Sequence, residues 1–170
     1  MEKTSAVAGK RAVATDRSGP VMIGLVALVA LLFWMSLYFY APTLPIYVRS
    51  KSDSLTMVGV ILAQYGLWQA VIRLPLGIAA DWVGRRKPFI IAGMVLAALG
   101  AWTMGTADTP QGLLIGRAIS GFAASTWVPL IVLFSSLFPP REAVRATSIL
   151  TIVTNVGRMT STGATGSLNA

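Results

Sequence analysis

Long apolar runs, each close to the length of a membrane-spanning helix, constrain this chain more than any other feature of its sequence. Four clear runs, separated by short polar connections, cover residues 21–40, 55–80, 89–106 and 112–138. A helix needs about 20 predominantly apolar residues to cross a hydrocarbon core of about 30 Å. Only 12% of the residues are charged, against about 25% in an ordinary soluble domain. The sequence therefore predicts an all-α integral membrane protein with four clear transmembrane helices.

A doubtful fifth run begins at residue 146 and changes character near Gly157. Residues 146–156 are apolar, whereas residues 157–170 are small, polar and only weakly apolar. Two explanations are open: a helix rich in small residues packs inside a bundle, or the natural sequence has been interrupted by truncation or a frame shift. The abrupt change favours the interruption, so residues 157–170 are predicted to be an atypical C-terminal segment. Arg158 lies in this segment and receives no function from the sequence.

The positions of lysine and arginine predict the orientation of the chain. Residues 1–20 form a polar tail with several basic residues, and the connections after the second and fourth runs are also basic. The other two connections carry less net positive charge. Because positively charged loops resist translocation, the basic side is expected to face the cytoplasm. We predict a cytoplasmic tail over residues 1–20 and a transmembrane bundle over residues 21–156, in a plasma (inner) membrane.

Several classes of function are disfavoured by residues that the sequence lacks. The chain has no cysteine and no histidine, which removes disulfides, thiolate chemistry, imidazole bases and the commonest nitrogen ligands of metals. None of the four clear runs has an acidic residue away from its end, so an intramembrane enzyme would lack its usual groups. The net charge of +8 comes mainly from the tail and the connections, without a basic face interleaved with aromatics. We expect no catalytic site, metal, cofactor or nucleic-acid partner.

Charge is concentrated in one short connection, GIAADWVGRRK, at residues 77–87. Gly77 and Asp81 are four residues apart and share a helix face, so a neighbouring helix can pack over the glycine and meet the carboxylate. Gly84 permits a tight reversal of the chain. Arg85 and Arg86 are then within reach of Asp81 or of nearby helix C-termini. The spacing predicts a turn locked by charge on the cytoplasmic side.

This combination resembles the loop between the second and third helices of the major facilitator superfamily, Gly-x-x-x-Asp-(Arg/Lys)-x-Gly-Arg-(Arg/Lys). Trp82 stands where the family usually has a basic residue. Residues 65–77 and 137–149 also resemble the family's second helix and the connection between its fourth and fifth helices. In residues 116–125, Arg117 and Gly121 match the family's fourth-helix motif, with Ser120 where glutamine is often found. The resemblance covers residues 21–156.

The resemblance implies a partial bundle, because a complete chain of this family usually has about twelve helices in two halves of six. It implies alternating-access transport of a small solute, with the turn at residues 77–87 holding the halves together in the outward-facing state. The implied partners are the lipid bilayer, an unknown small-molecule solute, and either the missing C-terminal half or a second copy of the chain. The alternative is a non-transporting membrane interaction protein or an inert transporter fragment.

Two arginines inside the apolar runs are candidates for solute binding or coupling. Arg117 lies about 6 Å inside the end of the fourth run, and the resemblance assigns it, with Gly121, to substrate binding or proton coupling. The alternative is an arginine that reaches the lipid headgroups. Arg73 shares a stripe with Gly77 and Asp81, where it could extend the lock, line the pathway or reach toward the cytoplasm. A carboxylate for proton coupling would have to come from the missing part.

Polar and aromatic side chains in the first, second and fourth runs could shape a pocket for an organic solute. Core packing or an interfacial belt is the alternative for each of them. These candidates are Trp34, Tyr38, Gln64, Trp68, Gln69 and Trp127. The third run carries Gly93, Ala97, Ala101 and Gly105 at intervals of four, and this stripe of small residues predicts helix packing.

Overall fold

The computed structural model describes residues 19–168, so residues 1–18 of the predicted tail and residues 169–170 lie outside the described part. Within residues 19–168 the structure is helical and contains no β-strand. The helices are α1 (Gly19–Tyr38), α2 (Leu44–Lys51), α3 (Leu55–Val83), α4 (Lys87–Gly105), α5 (Pro110–Ser125), α6 (Trp127–Ser135) and α7 (Ala143–Leu168), with a 3-10 turn at Pro140–Glu142. Four stretches are long and apolar enough to cross a membrane, when α5 and α6 are taken together. The predicted all-α class and the four spans are confirmed.

Side chains at the helix ends explain where two of the membrane-length helices begin. The Ser54 hydroxyl accepts a hydrogen bond from the Met57 amide at 3.3 Å and caps α3. The Thr109 hydroxyl accepts one from the Gly112 amide at 3.3 Å and caps α5. Each cap satisfies a backbone N–H that has no partner inside the helix. The observed bounds extend the second predicted span at its C-terminal end.

The short helix α2 lies in a connection that the sequence analysis read only as the end of the first span. Pro45 occupies the first turn of α2, where its missing N–H costs nothing. Leu44 and Val48 are one turn apart and are both buried, in a cluster with Met104 and Leu113 of α4 and α5. This packing holds α2 across one end of the bundle. We call this the α2 end, and we call the opposite end, which contains Gly84, the turn end.

The fourth span is divided at Thr126 into α5 and α6, which the sequence analysis treated as one run. Pro129 has no N–H for the Ser125 carbonyl, and its ring crowds that carbonyl. The Thr126 hydroxyl donates instead to the carbonyl of Ala123 at 2.7 Å. The proline and the adjacent hydroxyl group are therefore the physical causes of the break.

Helices α4 and α5 pack closely in the middle of the bundle. A Cβ added to Gly100 would lie 3.1 Å from the Gly116 carbonyl oxygen, so only glycine allows these backbones to approach so closely. Gly93 and Ala97 of the predicted stripe are buried. Ala101 and Gly105 are exposed, and the buried face continues through Gly100 and Met104. The second half of the predicted stripe is wrong because a helix has 3.6 residues per turn, so positions four apart drift around its axis.

Helix α7 runs without a break through Gly157 to Leu168. Gly157, Ser161 and Thr165 are buried along one face. A Cβ on Gly157 would lie 3.0 Å from the Leu31 carbonyl oxygen of α1, and the Thr165 hydroxyl donates to the Phe39 carbonyl. Small side chains therefore let α7 pack closely on α1. The predicted boundary at residue 157 is not a break in this helix.

Large apolar side chains remain exposed over much of the bundle surface. Among them are Leu74 on α3, 76% exposed, and Ile152 on α7, 64% exposed. Such surfaces are stable in lipid, or against other membrane helices, but not in water. Helix α3 is covered least, since Ile61 and Ala80 are its only buried residues in the described structure. Its free face is therefore available to lipid or to another part of a larger protein.

Candidate functional site

The turn between α3 and α4 reverses the chain at Gly84. Gly84 ends α3 with φ +65°, in the left-handed region that favours glycine. Its amide donates to the carbonyls of Ala80 and Asp81, each at 3.2 Å. The reversal brings Arg86 back toward α3, where its Nη2 atom lies 3.3 Å from Asp81 Oδ1. The turn is thus closed by one glycine and one ion pair.

The other charged residues of the predicted lock stand apart from this ion pair. Arg85 and Arg73 are exposed, and neither makes a hydrogen bond or an ion pair within residues 19–168. Gly77 faces α6, where an added Cβ would make ordinary contact with Val128 at 3.6 Å. The structure therefore brings Asp81 and Arg86 together and leaves Arg85 and Arg73 free on the surface.

The Asp81–Arg86 pair contributes little to the stability of the fold. The Asp81 side chain is 68% exposed and that of Arg86 is 32% exposed. Exposed ion pairs are typically worth about 0–1 kcal/mol because water and salt screen them. Such a pair can exchange its partner at low cost in free energy.

Arg117 lies inside the bundle, in the contact between α5 and α3. It is seven residues beyond Pro110, which places it about 10 Å from the start of α5. Its guanidinium carbon is 4.6 Å from the centre of the Tyr65 ring, and Nη2 donates to the Leu62 carbonyl at 3.5 Å. Its Nε atom is buried without a hydrogen-bond partner in the described structure. The side chain contacts α3 at membrane depth, which favours the interior role over a reach to the headgroups.

Arg158 on α7 occupies a second site of the same kind. Its guanidinium carbon lies 3.7 Å from the centre of the Trp34 ring and 5.1 Å from that of Tyr38. Its Nε atom is also buried and has no hydrogen-bond partner among the described residues. A guanidinium above an aromatic face is attracted by the ring quadrupole. The sequence analysis gave this residue no function, because the rings that it contacts lie on α1, far from it in the chain.

The two arginines have aromatic neighbours that pack together, so they form one group. Tyr65, whose ring lies beside Arg117, packs in the same apolar cluster as Trp34 and Tyr38, whose rings lie beside Arg158. Trp34 is buried, whereas the other members are partly exposed. We call this group the arginine–aromatic cluster: Trp34, Tyr38, Tyr65, Arg117 and Arg158. Four of its five members are therefore partly accessible.

The remaining pocket candidates, Trp127, Gln64, Trp68 and Gln69, do not all contact the cluster. The Trp127 ring meets the Trp34 ring edge-on at 5.2 Å and thus borders the cluster. Trp68 stacks on Phe122 at 5.1 Å and donates its indole N–H to Gln64 Oε1 at 2.8 Å. These contacts form a separate pair of α3 side chains beside α5. The Gln69 backbone carbonyl accepts a hydrogen bond from Ser125.

Gly121, which the family motif assigns to binding or coupling, is a packing residue in this structure. An added Cβ would lie 2.6 Å from the Tyr65 carbonyl oxygen and 3.0 Å from Trp68 Cβ. Its lack of a side chain lets α5 approach α3 and brings Arg117 over the Tyr65 ring. In the described part of the chain, no cluster of three or more histidine, cysteine or acidic residues could hold a metal ion.

The family whose sequence model matches the chain is the Major Facilitator Superfamily, over residues 26–170. Among curated relatives, the inner membrane transport protein YajR of Escherichia coli is 28% identical over 68% of the chain and 25% of its own length. The class H tetracycline resistance protein of Pasteurella multocida is 29% identical over 78% of the chain and 34% of its own length. The multidrug resistance protein Stp of Mycobacterium tuberculosis is 35% identical over 62% of the chain and 19% of its own length. The chain thus spans about a fifth to a third of the length of these relatives.

Proposed function

The chain belongs to the major facilitator superfamily, and on that premise we propose that it forms the first part of a secondary carrier that moves a small solute by alternating access. The family match over residues 26–170 carries this proposal, and it includes the turn and nearly all the described helices. The relatives are named as transporters and resistance proteins, not as enzymes. The helices long enough to span a membrane make the chain a multi-pass integral membrane protein.

The distribution of charge supports an orientation with the turn end in the cytoplasm of a bacterial cell. The turn end carries three consecutive basic residues at positions 85–87, and Arg141 and Arg145 near the start of α7. At the α2 end, Lys51 is paired with Asp108 at 3.5 Å. This asymmetry is the pattern by which inner-membrane proteins orient. Because two spans, α1 and α3, precede the turn, the N-terminal tail would then lie on the same side of the membrane as the turn.

We further propose that the turn end acts as a conformational lock against the rest of the carrier. Trp82 is 88% exposed, and Arg85 and Arg73 are exposed without partners in the described residues. These exposed side chains are available for contacts with another part of the carrier. Asp81 could leave Arg86 and bind a partner on the second half at a small cost in free energy, because the ion pair is exposed.

Asp81→Asn tests the lock in the complete polypeptide that contains this chain, reconstituted in liposomes. The change removes the charge but keeps the shape, so insertion should be unaffected while the balance between inward- and outward-facing states shifts. Because this part of the chain has no cysteine, single cysteines introduced near each bundle end can report accessibility to a membrane-impermeant thiol reagent. Asp53→Asn, at the α2 end, is the matched control. Unchanged accessibility and a normal rate of transport with Asp81→Asn would count against the lock.

Reconstituted solute flux separates a working carrier from an interaction protein or an inert fragment. The intact mass of the polypeptide in its native membrane should be measured first. A mass more than twice 18.0 kDa would mean that the polypeptide contains a second half. A mass near 18.0 kDa would mean that flux should be tested for an assembly of two copies of the chain. Absence of flux for every solute tested, with correctly inserted protein, would overturn the carrier proposal.

A further inference from the structure

We propose that the arginine–aromatic cluster binds an organic anion, a carboxylate carried by an aromatic or similarly flat apolar group. The binding site rests on the geometry of the cluster alone. That this anion is the transported cargo rests on the proposed carrier function.

The first argument is the balance of charge at membrane depth. The acidic residues of the described chain, Asp53, Asp81, Asp108 and Glu142, lie between helices or at their ends. Asp81 is already paired with Arg86, and Asp108 with Lys51. No carboxylate among residues 19–168 therefore balances the two guanidinium groups of the cluster. Charged residues inside a membrane are costly unless they are paired, and they mark substrate or ion pathways.

The second argument is the depth of the two arginines. Arg117 is about 10 Å from the start of α5, and Arg158 is ten residues before the last residue of α7, or about 15 Å from that end. Both ends lie at the α2 end of the bundle. In a hydrocarbon core of about 30 Å, these depths place both guanidinium groups well below the headgroups. Without a water-filled cavity, water therefore cannot hydrate these two charges well.

The third argument is the set of hydrogen-bond donors that the cluster leaves unused. The Arg158 side chain donates no hydrogen bond within the described structure, and that of Arg117 interacts with the Tyr40 hydroxyl and with the Leu62 carbonyl, the latter at a long 3.5 Å. The Nε atoms of both are buried without partners in residues 19–168. A guanidinium presents parallel N–H donors that match the two oxygens of a carboxylate. The unused donors thus have the geometry that a carboxylate ligand requires.

The aromatic members of the cluster define the rest of the ligand. Tyr38 and Tyr65 are only partly buried, so their rings and hydroxyl groups can contact a bound molecule. Offset or edge-on contacts with such rings favour a flat or aromatic ligand. A cationic ligand is disfavoured because both arginines would repel it. The alternative source of negative charge is a carboxylate of the remaining polypeptide, which would occupy the same donors and exclude the ligand.

Matched pairs of ligands test the proposal on the complete polypeptide in detergent or nanodiscs. We would titrate benzoate, salicylate and indole-3-acetate, each with its neutral amide, and follow tryptophan fluorescence and calorimetric heat. At least one carboxylate should bind saturably, and its amide at least tenfold more weakly. Equal binding of acid and amide, or no binding of any carboxylate by folded protein, would overturn the proposal. The second result would point to a carboxylate within the protein.

Variants of the two arginines assign the binding to the cluster. Arg158→Gln and Arg117→Gln should each weaken carboxylate binding at least tenfold, and Arg158→Lys should recover part of the loss by restoring the charge but not the paired donors. Arg141→Gln, an exposed arginine at the turn end, is the matched control and should bind normally. Thermal unfolding identifies variants that fail to fold. If the folded glutamine variants bind the carboxylate like the unaltered protein, the cluster is not the site.

Flux measurements keep the two proposals apart. Saturable carboxylate binding without flux of any solute would support the site and overturn the carrier function. Flux of a neutral or cationic solute without carboxylate binding would support the carrier function and overturn the anion site. Inhibition of that flux by a carboxylate, lost in Arg158→Gln, would support both.

Discussion

Replacing Gly121 by alanine tests whether this residue sets the distance between α3 and α5. The new Cβ would lie 2.6 Å from the Tyr65 carbonyl oxygen, 3.2 Å from Tyr65 Cα and 3.0 Å from Trp68 Cβ. Two of these atoms belong to the backbone of α3 and cannot rotate away. Ordinary contact begins at 3.4 Å, so the shortfall at the oxygen is 3.4 − 2.6, or about 0.8 Å. The two helices must separate by a comparable distance, because neither backbone can yield locally within a close-packed interface.

The expected loss of stability follows from two opposing effects. Overpacking of a tight contact costs about 1–3 kcal/mol, whereas alanine in place of glycine favours a helix by about 0.5–1 kcal/mol. Gly66→Ala is the matched control, because Gly66 is also helical and its Cβ would meet no atom within 4 Å. The control should be neutral or slightly stabilised. The difference between the two variants, about 1–3 kcal/mol, isolates the cost of overpacking.

Equilibrium unfolding in mixed micelles of dodecyl maltoside and SDS, followed by tryptophan fluorescence, measures this difference. Gly121→Ala should unfold at a lower fraction of SDS than Gly66→Ala. If the two variants unfold together, the contact between Gly121 and Tyr65 is not tight in the membrane. The assignment of Gly121 to packing would then fail, and its role in binding or coupling would return as the better explanation.

Two further substitutions test the packing of α7 on α1 and the break between α5 and α6. Gly157→Leu should lower the free energy of unfolding by about 1–3 kcal/mol through overpacking, because a Cβ there already lies 3.0 Å from the Leu31 carbonyl oxygen. Gly163→Leu, where a Cβ meets nothing within 4 Å, is the control; equal unfolding of both would argue against packing of α7 on α1. Pro129→Ala should restore an N–H donor for the Ser125 carbonyl. Amide hydrogen exchange of residues 126–131 should then slow severalfold, and unchanged exchange would show that the proline does not cause the break.

The membrane-length helices could be predicted from the sequence because the length of an apolar run determines them almost alone. The two helical features that were missed depend on contacts or on local geometry. Helix α2 has only eight residues and is marginal in isolation, so the burial of Leu44 and Val48 decides its existence. A proline alone does not predict a break, because α3 continues through Pro75. At Thr126 a hydroxyl also competes for a backbone carbonyl, and only the structure shows that bond.

Of the two arginines of the candidate site, one could be predicted from the sequence and the other could not. Arg117 is conspicuous because it interrupts an apolar run, whereas Arg158 lies among small polar residues where a charge is no anomaly. Its significance depends on the Trp34 ring, which meets it only because Gly157 allows α7 to approach α1. That contact joins helices far apart in the chain. No spacing along a single run could have revealed it.

Helix α3 links the cluster and the turn, and this arrangement bears on how a carrier of this kind could couple them. Tyr65 and Asp81 are sixteen residues apart on this helix, or about 24 Å along its axis. Pro75 lies between them and deprives the Val71 carbonyl of its usual N–H partner, which is a common site of bending in membrane helices. Because α3 is also the least covered of the long helices, its turn end can move at low packing cost while Gly121 holds the Tyr65 region against α5. We therefore expect the turn end of α3 to shift when the lock opens, with the arginine–aromatic cluster as the more rigid part of the bundle.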